Sequence, residues 1–191
     1  MIMQKTENPI ILAVILCAIT GVIALLLSLA NNITKDITAK NAEKEAQDAM
    51  RSVLHAESYE EVEYKDENVK KVFIGKSKNN IVGYCINVTS QGFGGEIDMM
   101  VGIDTENKIK GIKIISLSET PGLGSKVNST NFTRQFEGKS AENEVSVIKS
   151  GTPKENEIVA VSGATVSSKA VKDGVNHASR AIKSISQEGT K

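Results

Sequence analysis

The residues best suited to chemistry in this 191-residue chain are four small ones at positions 162–165, Ser-Gly-Ala-Thr. They stand directly before a strongly patterned C-terminal segment. The apolar residues of that segment recur at alternating spacings of four and three, which predicts a helix with one buried face. These apolar residues are Val171, Val175, Ala178, Ile182 and Ile185.

The start of such a helix could bind a phosphate group. Ser167 or Ser168 is the predicted N-cap, and a helix N-terminus presents unpaired N–H groups at the positive end of its dipole. Gly163 allows the backbone to approach a ligand closely, and Thr165 adds a hydroxyl within reach of the phosphate. A capped helix start made of small residues explains the same motif without a ligand, so both interpretations remain open here.

A second loop lies at residues 118–126, with the sequence Ser-Glu-Thr-Pro-Gly-Leu-Gly-Ser-Lys, after a strand-like run. Pro121 fixes φ, and Gly122 and Gly124 permit positive φ, which predicts a turn. Such a turn can lay backbone N–H groups against a flat polar ring, and Thr120 adds a hydroxyl. An ordinary turn between a strand and a helix is the alternative interpretation.

A third segment at 92–97, Gly-Phe-Gly-Gly-Glu-Ile, is by itself consistent with a plain hairpin loop. Taken together and in this order, the three segments resemble the FMN-binding domain family. Residues 92–97 are similar to its Gly-Tyr-Gly-Gly segment, 118–126 to its Glu-Thr-Pro-Gly-Leu-Gly loop, and 162–165 to its flavinylation motif. The resemblance extends over roughly residues 72–185.

This resemblance implies a covalent FMN site. In the family, the last Thr of the flavinylation motif carries FMN through a phosphoester bond, which here implies Thr165. Many members have an Asp three residues before the Ser of the motif, where this chain has Val159. No catalytic side chain and no metal ligand is expected. The implied cofactor-binding residues are Ser162, Gly163, Ala164, Thr165, Ser167, Glu119, Thr120, Gly122, Leu123 and Gly124.

A run of 21 uncharged and mainly apolar residues at 10–30 predicts a transmembrane helix. A cleaved signal peptide is the alternative, because residues 28–30 read Ser-Leu-Ala, but the run exceeds the usual signal core of about 7–15 residues. Cys17 has no small residue just before it, which argues against a lipoprotein anchor. Lys5 on one side and Lys35 on the other leave the orientation undecided by the positive-inside rule.

The rest of the chain predicts an α+β fold, in which helices pack on an antiparallel sheet. The predicted domains are a short cytoplasmic tail at 1–9, the transmembrane helix at 10–30, a membrane-proximal helix at 31–57 and an FMN-binding domain at 58–191. Strands are predicted at 69–75, 81–89, 96–103, 109–117, 145–149 and 158–161, and a short helix at 130–136.

The residue inventory disfavours several classes of function. The chain has 23 basic and 23 acidic residues and no Trp, and no basic stripe with interleaved aromatic residues, so nucleic-acid binding has little support. His55, His177, Cys17 and Cys85 lie too far apart for a zinc or iron–sulfur motif. Cys85 is expected to be buried and reduced. The chemistry is therefore expected to come from a cofactor.

Within the FMN-binding family, the layout resembles the G subunits of Rnf complexes. This implies an electron-carrying component of an ion-translocating ferredoxin:NAD oxidoreductase, a translocase, with its flavin domain outside the cell membrane. The implied partners are the other membrane and peripheral Rnf subunits, a flavin transferase that attaches FMN, and membrane lipid. The C subunit of the Na⁺-translocating NADH:quinone oxidoreductase, which is typically longer, is the runner-up. A non-redox extracytoplasmic scaffold or sensor domain is the alternative from another class.

Overall fold

The computed structural model describes residues 9–188 and divides into two compact units, Met1–Lys44 and Glu45–Lys191. The predicted cytoplasmic tail at 1–9 lies outside the described residues except for Pro9. Helix α1, Pro9–Val53, opens with the apolar stretch Pro9–Leu29, whose mean hydropathy is 3.2 and whose side chains are exposed. This stretch is long and apolar enough to cross a bilayer.

Helix α1 continues without a break through the segment that the sequence assigned to a separate membrane-proximal helix at 31–57. No Gly or Pro lies between Asn31 and Val53, so nothing in this stretch interrupts the backbone hydrogen bonds of the helix. The helix ends at Val53 rather than at Glu57, because the chain must turn there to enter the sheet.

The centre of the second unit is an antiparallel sheet of five strands in the order β1-β2-β3-β4-β5. The predicted α+β class is confirmed, and β2 to β5 match the four predicted strands with ends shifted by at most two residues. Neighbours in sequence are neighbours in the sheet, as short connecting turns require. The strands are β1 Ser58–Val62, β2 Val69–Ser77, β3 Asn80–Gln91, β4 Glu96–Asp104 and β5 Ile109–Leu117.

The first face of the sheet is covered by helix α3, Thr165–Glu188. Its predicted apolar stripe packs on alternate strand residues such as Ile86 and Met99, which are fully buried. Gly174 gives the helix its close approach, because a Cβ there would lie 2.8 Å from the Met99 methyl carbon.

Between β5 and α3 the chain forms smaller elements. A 3₁₀ turn, Gly124–Asn128, precedes the short helix α2, Thr130–Thr133, which a second 3₁₀ turn, Arg134–Phe136, extends. Strands β6, Ser146–Ile148, and β7, Glu157–Val159, pair in parallel as a separate two-stranded sheet. The helix predicted at 130–136 is thus part α and part 3₁₀.

The second face of the sheet receives the last turns of α1. Met50, Val53 and Leu54 are buried there with Cys85 and Met100, which point away from α3 because side chains alternate along a strand. Burial raises the pKa of the Cys85 thiol to about 12. The prediction that this cysteine is buried is confirmed, and its thiol is therefore a poor nucleophile.

Two paired glycines on this second face differ in how closely they approach α1. Substituting each of them in turn therefore tests the contact between α1 and the sheet. A Cβ on Gly102 of β4 would collide with the Val53 carbonyl oxygen and lie 2.8 Å from its carbon. A Cβ on its β5 partner Gly111 would meet only the Val53 Cα, at 3.8 Å.

We expect Gly102→Ala to lower the free energy of unfolding of the sheet domain by about 1–3 kcal/mol, because the helix end must shift. Gly111→Ala should be neutral or slightly stabilising. Denaturant titration of the full chain in detergent, followed by circular dichroism, measures both. Equal effects of the two substitutions would contradict this account of how α1 joins the sheet.

Candidate functional site

The Ser-Gly-Ala-Thr motif forms a tight turn that leads directly into α3. The Ala164 N–H donates to the Val161 carbonyl at 2.9 Å, and Gly163, in the third position of the turn, has a φ of +77°. That backbone conformation favours glycine. Ser162, in the second position, is exposed.

The predicted N-cap at Ser167 or Ser168 is wrong, because α3 begins earlier, at Thr165. The Ala164 carbonyl accepts the first helical bond, from the Ser168 N–H at 2.9 Å. The Ser168 hydroxyl instead stabilises the turn from inside the helix: it donates to the Ala164 carbonyl at 2.9 Å and accepts the Val161 N–H at 3.0 Å.

The first turn of α3 presents backbone donors that have no acceptor within the described part of the chain. The N–H groups of Thr165, Val166 and Ser167 make no backbone hydrogen bond there. They lie at the positive end of the helix dipole, where an anion is stabilised. The half-buried Thr165 brings its hydroxyl to the same place.

A cleft of about 290 Å³ lies beside this helix start, where three loops meet. One wall comes from the motif and α3, another from the loop after β5, and the third from the hairpin between β3 and β4. Three apolar side chains remain exposed on its lining: Phe93 at 74%, Leu123 at 44% and Val166 at 51%. The lining residues are Phe93, Glu119, Thr120, Leu123, Gly124, Gly163, Ala164, Thr165, Val166 and Ser167.

The loop after β5 folds back on itself as the sequence predicted. The Thr120 carbonyl accepts the N–H groups of Leu123 and Ser125, each at 3.2 Å. Gly122 has a φ of +75°, and its N–H donates to the Ser125 hydroxyl at 2.9 Å. Gly122 therefore shapes the loop but does not line the cleft, and it faces open space.

Glu119 is a buried carboxylate at the junction of the three loops, with 8% of its surface exposed. Its Oε1 accepts the Phe93 N–H at 2.8 Å, and its Oε2 has no hydrogen-bond partner among the described residues. Gly92 and Gly124 make room for the two oxygens, because a Cβ on either glycine would collide with the carboxylate. Glu119 thus ties the hairpin to the loop after β5.

Gly124 and Gly122 allow a comparison within this one loop. We expect Gly124→Ala to displace the Glu119 carboxylate and release the Phe93 N–H. A hydrogen bond to a charged group is worth about 1.5–3 kcal/mol, so amide exchange at Phe93 should quicken about tenfold or more.

Gly122→Ala should strain only its own backbone and leave exchange at Phe93 unchanged. Amide hydrogen exchange followed by NMR on the full chain in detergent compares the two variants. Unchanged protection of Phe93 in Gly124→Ala would show that Glu119 does not hold the hairpin.

Of the ten cofactor-binding residues expected from the sequence, eight line the cleft, and Ser162 and Gly122 do not. Sequence reasoning missed Phe93 and Val166. Phe93 stands inside the Gly-rich segment at 92–97, where a large apolar residue in a turn was the available signal. Val166 does not belong to the buried apolar stripe of α3. An apolar residue outside that stripe was the available signal that its side chain contacts something other than the core.

The two histidines lie away from the cleft lining. His55 is exposed, and His177 is partly buried on α3. Burial lowers the pKa of His177 below its ordinary value, with the nearby Arg180 acting in the same direction, which favours the neutral form of the imidazole.

Comparison with known proteins points to one family. The family model described as the FMN-binding domain matches residues 92–180. The chain is 36% identical over 193 residues to the G subunit of the Na(+)-translocating ferredoxin:NAD(+) oxidoreductase complex of Acetobacterium woodii, with 92% of each chain covered.

Two further comparisons concern the alternative assignment, the C subunit of the Na⁺-translocating NADH:quinone oxidoreductase. The C subunit of the Na(+)-translocating NADH-quinone reductase of Vibrio anguillarum is 30% identical, with 77% of this chain and 60% of that protein covered. The crystal structure of Shewanella oneidensis NqrC shares the fold, with a TM-score of 0.52 at 19% identity, covering 67% of this chain and 66% of that one.

Proposed function

We propose that this chain, which belongs to the family of G subunits of ion-translocating ferredoxin:NAD(+) oxidoreductase complexes, holds FMN covalently at Thr165 and carries electrons within such a complex. One observation supports Thr165 as the attachment site. Thr165 is the first residue of α3, beside open backbone N–H groups, on the wall of the cleft.

The cleft fits FMN in both of its parts. Phe93, Leu123 and Val166 offer apolar surface to a flat aromatic ring, and the N–H groups at the start of α3 suit a phosphate. A Cβ on Gly163 would lie 2.8 Å from a methyl carbon of Leu123, so glycine keeps that wall open. Bound FMN supplies one- and two-electron chemistry that the side chains of this cleft do not provide.

Thr165 is the best placed hydroxyl for attachment. Ser167 is 2% exposed, and the fully buried Ser168 uses its hydroxyl twice to hold the turn. A flavin transferase must reach the accepting oxygen, which favours the partly exposed Thr165 over both serines. The transferase would join Thr165 Oγ1 to the flavin phosphorus of a flavin nucleotide that is activated by a phosphoanhydride bond. That bond breaks as the new ester forms, so a nucleoside monophosphate leaves and the hydroxyl proton passes to solvent.

The experiment for this proposal is expression of the full chain in a host with and without a flavin transferase. We expect flavin fluorescence in a denaturing gel only when the transferase is present, because a covalent flavin survives denaturation. A colourless, folded chain from the transferase host would contradict covalent FMN and favour the scaffold or sensor alternative.

The same proposal places the chain in a membrane. Helix α1 anchors it through Pro9–Leu29 in contact with lipid, with the N-terminus in the cytoplasm and the flavin domain outside. Covalent attachment suits that location, because a domain outside the cytoplasm cannot recover a lost flavin from the cytoplasmic pool. The other subunits of the complex are the proposed electron donor and acceptor.

The lower identity and coverage of the NADH-quinone reductase relative favour the ferredoxin:NAD(+) oxidoreductase assignment over the runner-up. The proteins that co-purify with the chain from its native membrane distinguish the two assignments.

A further inference from the structure

We infer that Glu119 opposes the negative charge of a free flavin phosphate in the cleft, so that stable retention of FMN depends on its covalent bond to Thr165. This inference rests on the proposed function, since it concerns the same cleft. Glu119 would act as a specificity-determining residue, in addition to holding the hairpin through Phe93.

The charges around the cleft carry the inference. Among the described lining residues, Glu119 has the only acidic or basic side chain. Lys126 and Lys169, close in sequence to the loop and to the motif, are exposed and do not line the cleft. The single fixed charge in the lining is therefore negative, although the expected cofactor bears a phosphate.

Glu119 also lies next to the helix start that a phosphate would occupy. The position of a Cβ on Gly124 is 3.0 Å from the Ser167 hydroxyl and closer still to Glu119 Oε2. The carboxylate thus borders the first turn of α3. Because Oε2 is buried and has no partner among the described residues, solvent and salt screen its charge less than they would on the surface.

The two forms of FMN differ in charge. The phosphate of free FMN is a monoester with a second pKa near 6, so it carries about −1.5 to −2 at pH 7. After esterification to Thr165 the phosphate is a diester with one negative charge. For a separation on the order of 10 Å and an effective dielectric constant of about 20, one extra charge weakens binding roughly tenfold.

The test uses a chain that cannot form the covalent bond. Thr165→Val removes the hydroxyl and keeps the shape of the side chain. Riboflavin and FMN are titrated into this variant in detergent, and quenching of flavin fluorescence gives the two dissociation constants. Riboflavin has the same ring as FMN but no phosphate. The ratio of the two dissociation constants therefore measures how much the phosphate contributes to binding.

At roughly tenfold for each unit of phosphate charge, we expect Glu119 to weaken the binding of FMN relative to riboflavin by roughly 30- to 100-fold at pH 7. The N–H groups at the start of α3 act on the phosphate equally with and without the Glu119 charge. Glu119→Gln, added to Thr165→Val, removes the charge, and its amide oxygen can still accept the Phe93 N–H. This second variant should therefore bind FMN, relative to riboflavin, roughly 30- to 100-fold more tightly than Thr165→Val alone. The control Glu67→Gln, an exposed carboxylate that does not line the cleft, should leave the ratio unchanged.

An unchanged ratio in the Glu119→Gln variant, or no binding of either flavin to either variant, would overturn the role of Glu119. The proposed function fails separately, if the wild-type chain stays free of covalent flavin in a transferase host. The titrations do not depend on that result, because Thr165→Val lacks the Thr165 hydroxyl and is titrated without a transferase.

Discussion

Thr165→Ala is expected to remove all covalent flavin from the chain while leaving it folded. The start of α3 is held by the Gly163 turn and by the two hydrogen bonds of Ser168, none of which involves the Thr165 side chain. Loss of the hydroxyl therefore removes the attachment point without removing a structural contact. In-gel flavin fluorescence after denaturation reports attachment, and circular dichroism of the same sample reports folding.

Two control variants sharpen this experiment. Thr165→Ser keeps a hydroxyl and should retain part of the fluorescence. Thr120→Ala removes a different threonine hydroxyl from the cleft lining and should retain covalent flavin. Full fluorescence in Thr165→Ala would place the acceptor elsewhere and contradict attachment at Thr165.

Ile19→Arg is expected to impair membrane insertion. Ile19 lies in the middle of the exposed apolar stretch Pro9–Leu29. A charge at the centre of a spanning helix costs about 2.5–3.5 kcal/mol on the insertion scale. The fraction of the chain recovered with membranes should therefore fall strongly.

Asn31→Arg is the matched control, because it places the same charge just beyond the apolar stretch, where a long side chain can reach the interface. A reporter fused to the C-terminus of the unaltered chain gives the orientation, and we expect it outside the cytoplasm. Normal insertion of Ile19→Arg would contradict a spanning helix, and a cytoplasmic reporter would contradict the proposed topology.

Periodicity in the sequence predicted the elements whose apolar residues face the core. Strands β2 to β5 and helix α3 carry such patterns, and the structure has them close to their predicted positions. Strand β1 was missed because its sequence, Ser-Tyr-Glu-Glu-Val, has no clear apolar alternation. Its place at the sheet edge comes from pairing with β2, which is a tertiary contact.

The sequence predicted which segments form the candidate site, but it predicted less well how their residues are arranged in space. Small residues at 162–165 indicated a helix start, but the turn at Gly163 begins the helix earlier than a serine cap would. The burial of Glu119 has no signal in the sequence, because a glutamate in a turn is ordinarily solvated. Only the fold brings that carboxylate between Gly92 and Gly124.

Peptide mapping of the flavinylated wild-type chain tests covalent attachment at Thr165 most directly. Trypsin cuts after Lys154 and Lys169, so the motif lies in one peptide, 155–169, which contains Thr165 and three serines. We predict that C-terminal fragment ions beginning at Thr165 carry the flavin phosphoryl mass and that those beginning at Val166 do not. The added mass on a serine of this peptide, or on another peptide, would contradict attachment at Thr165.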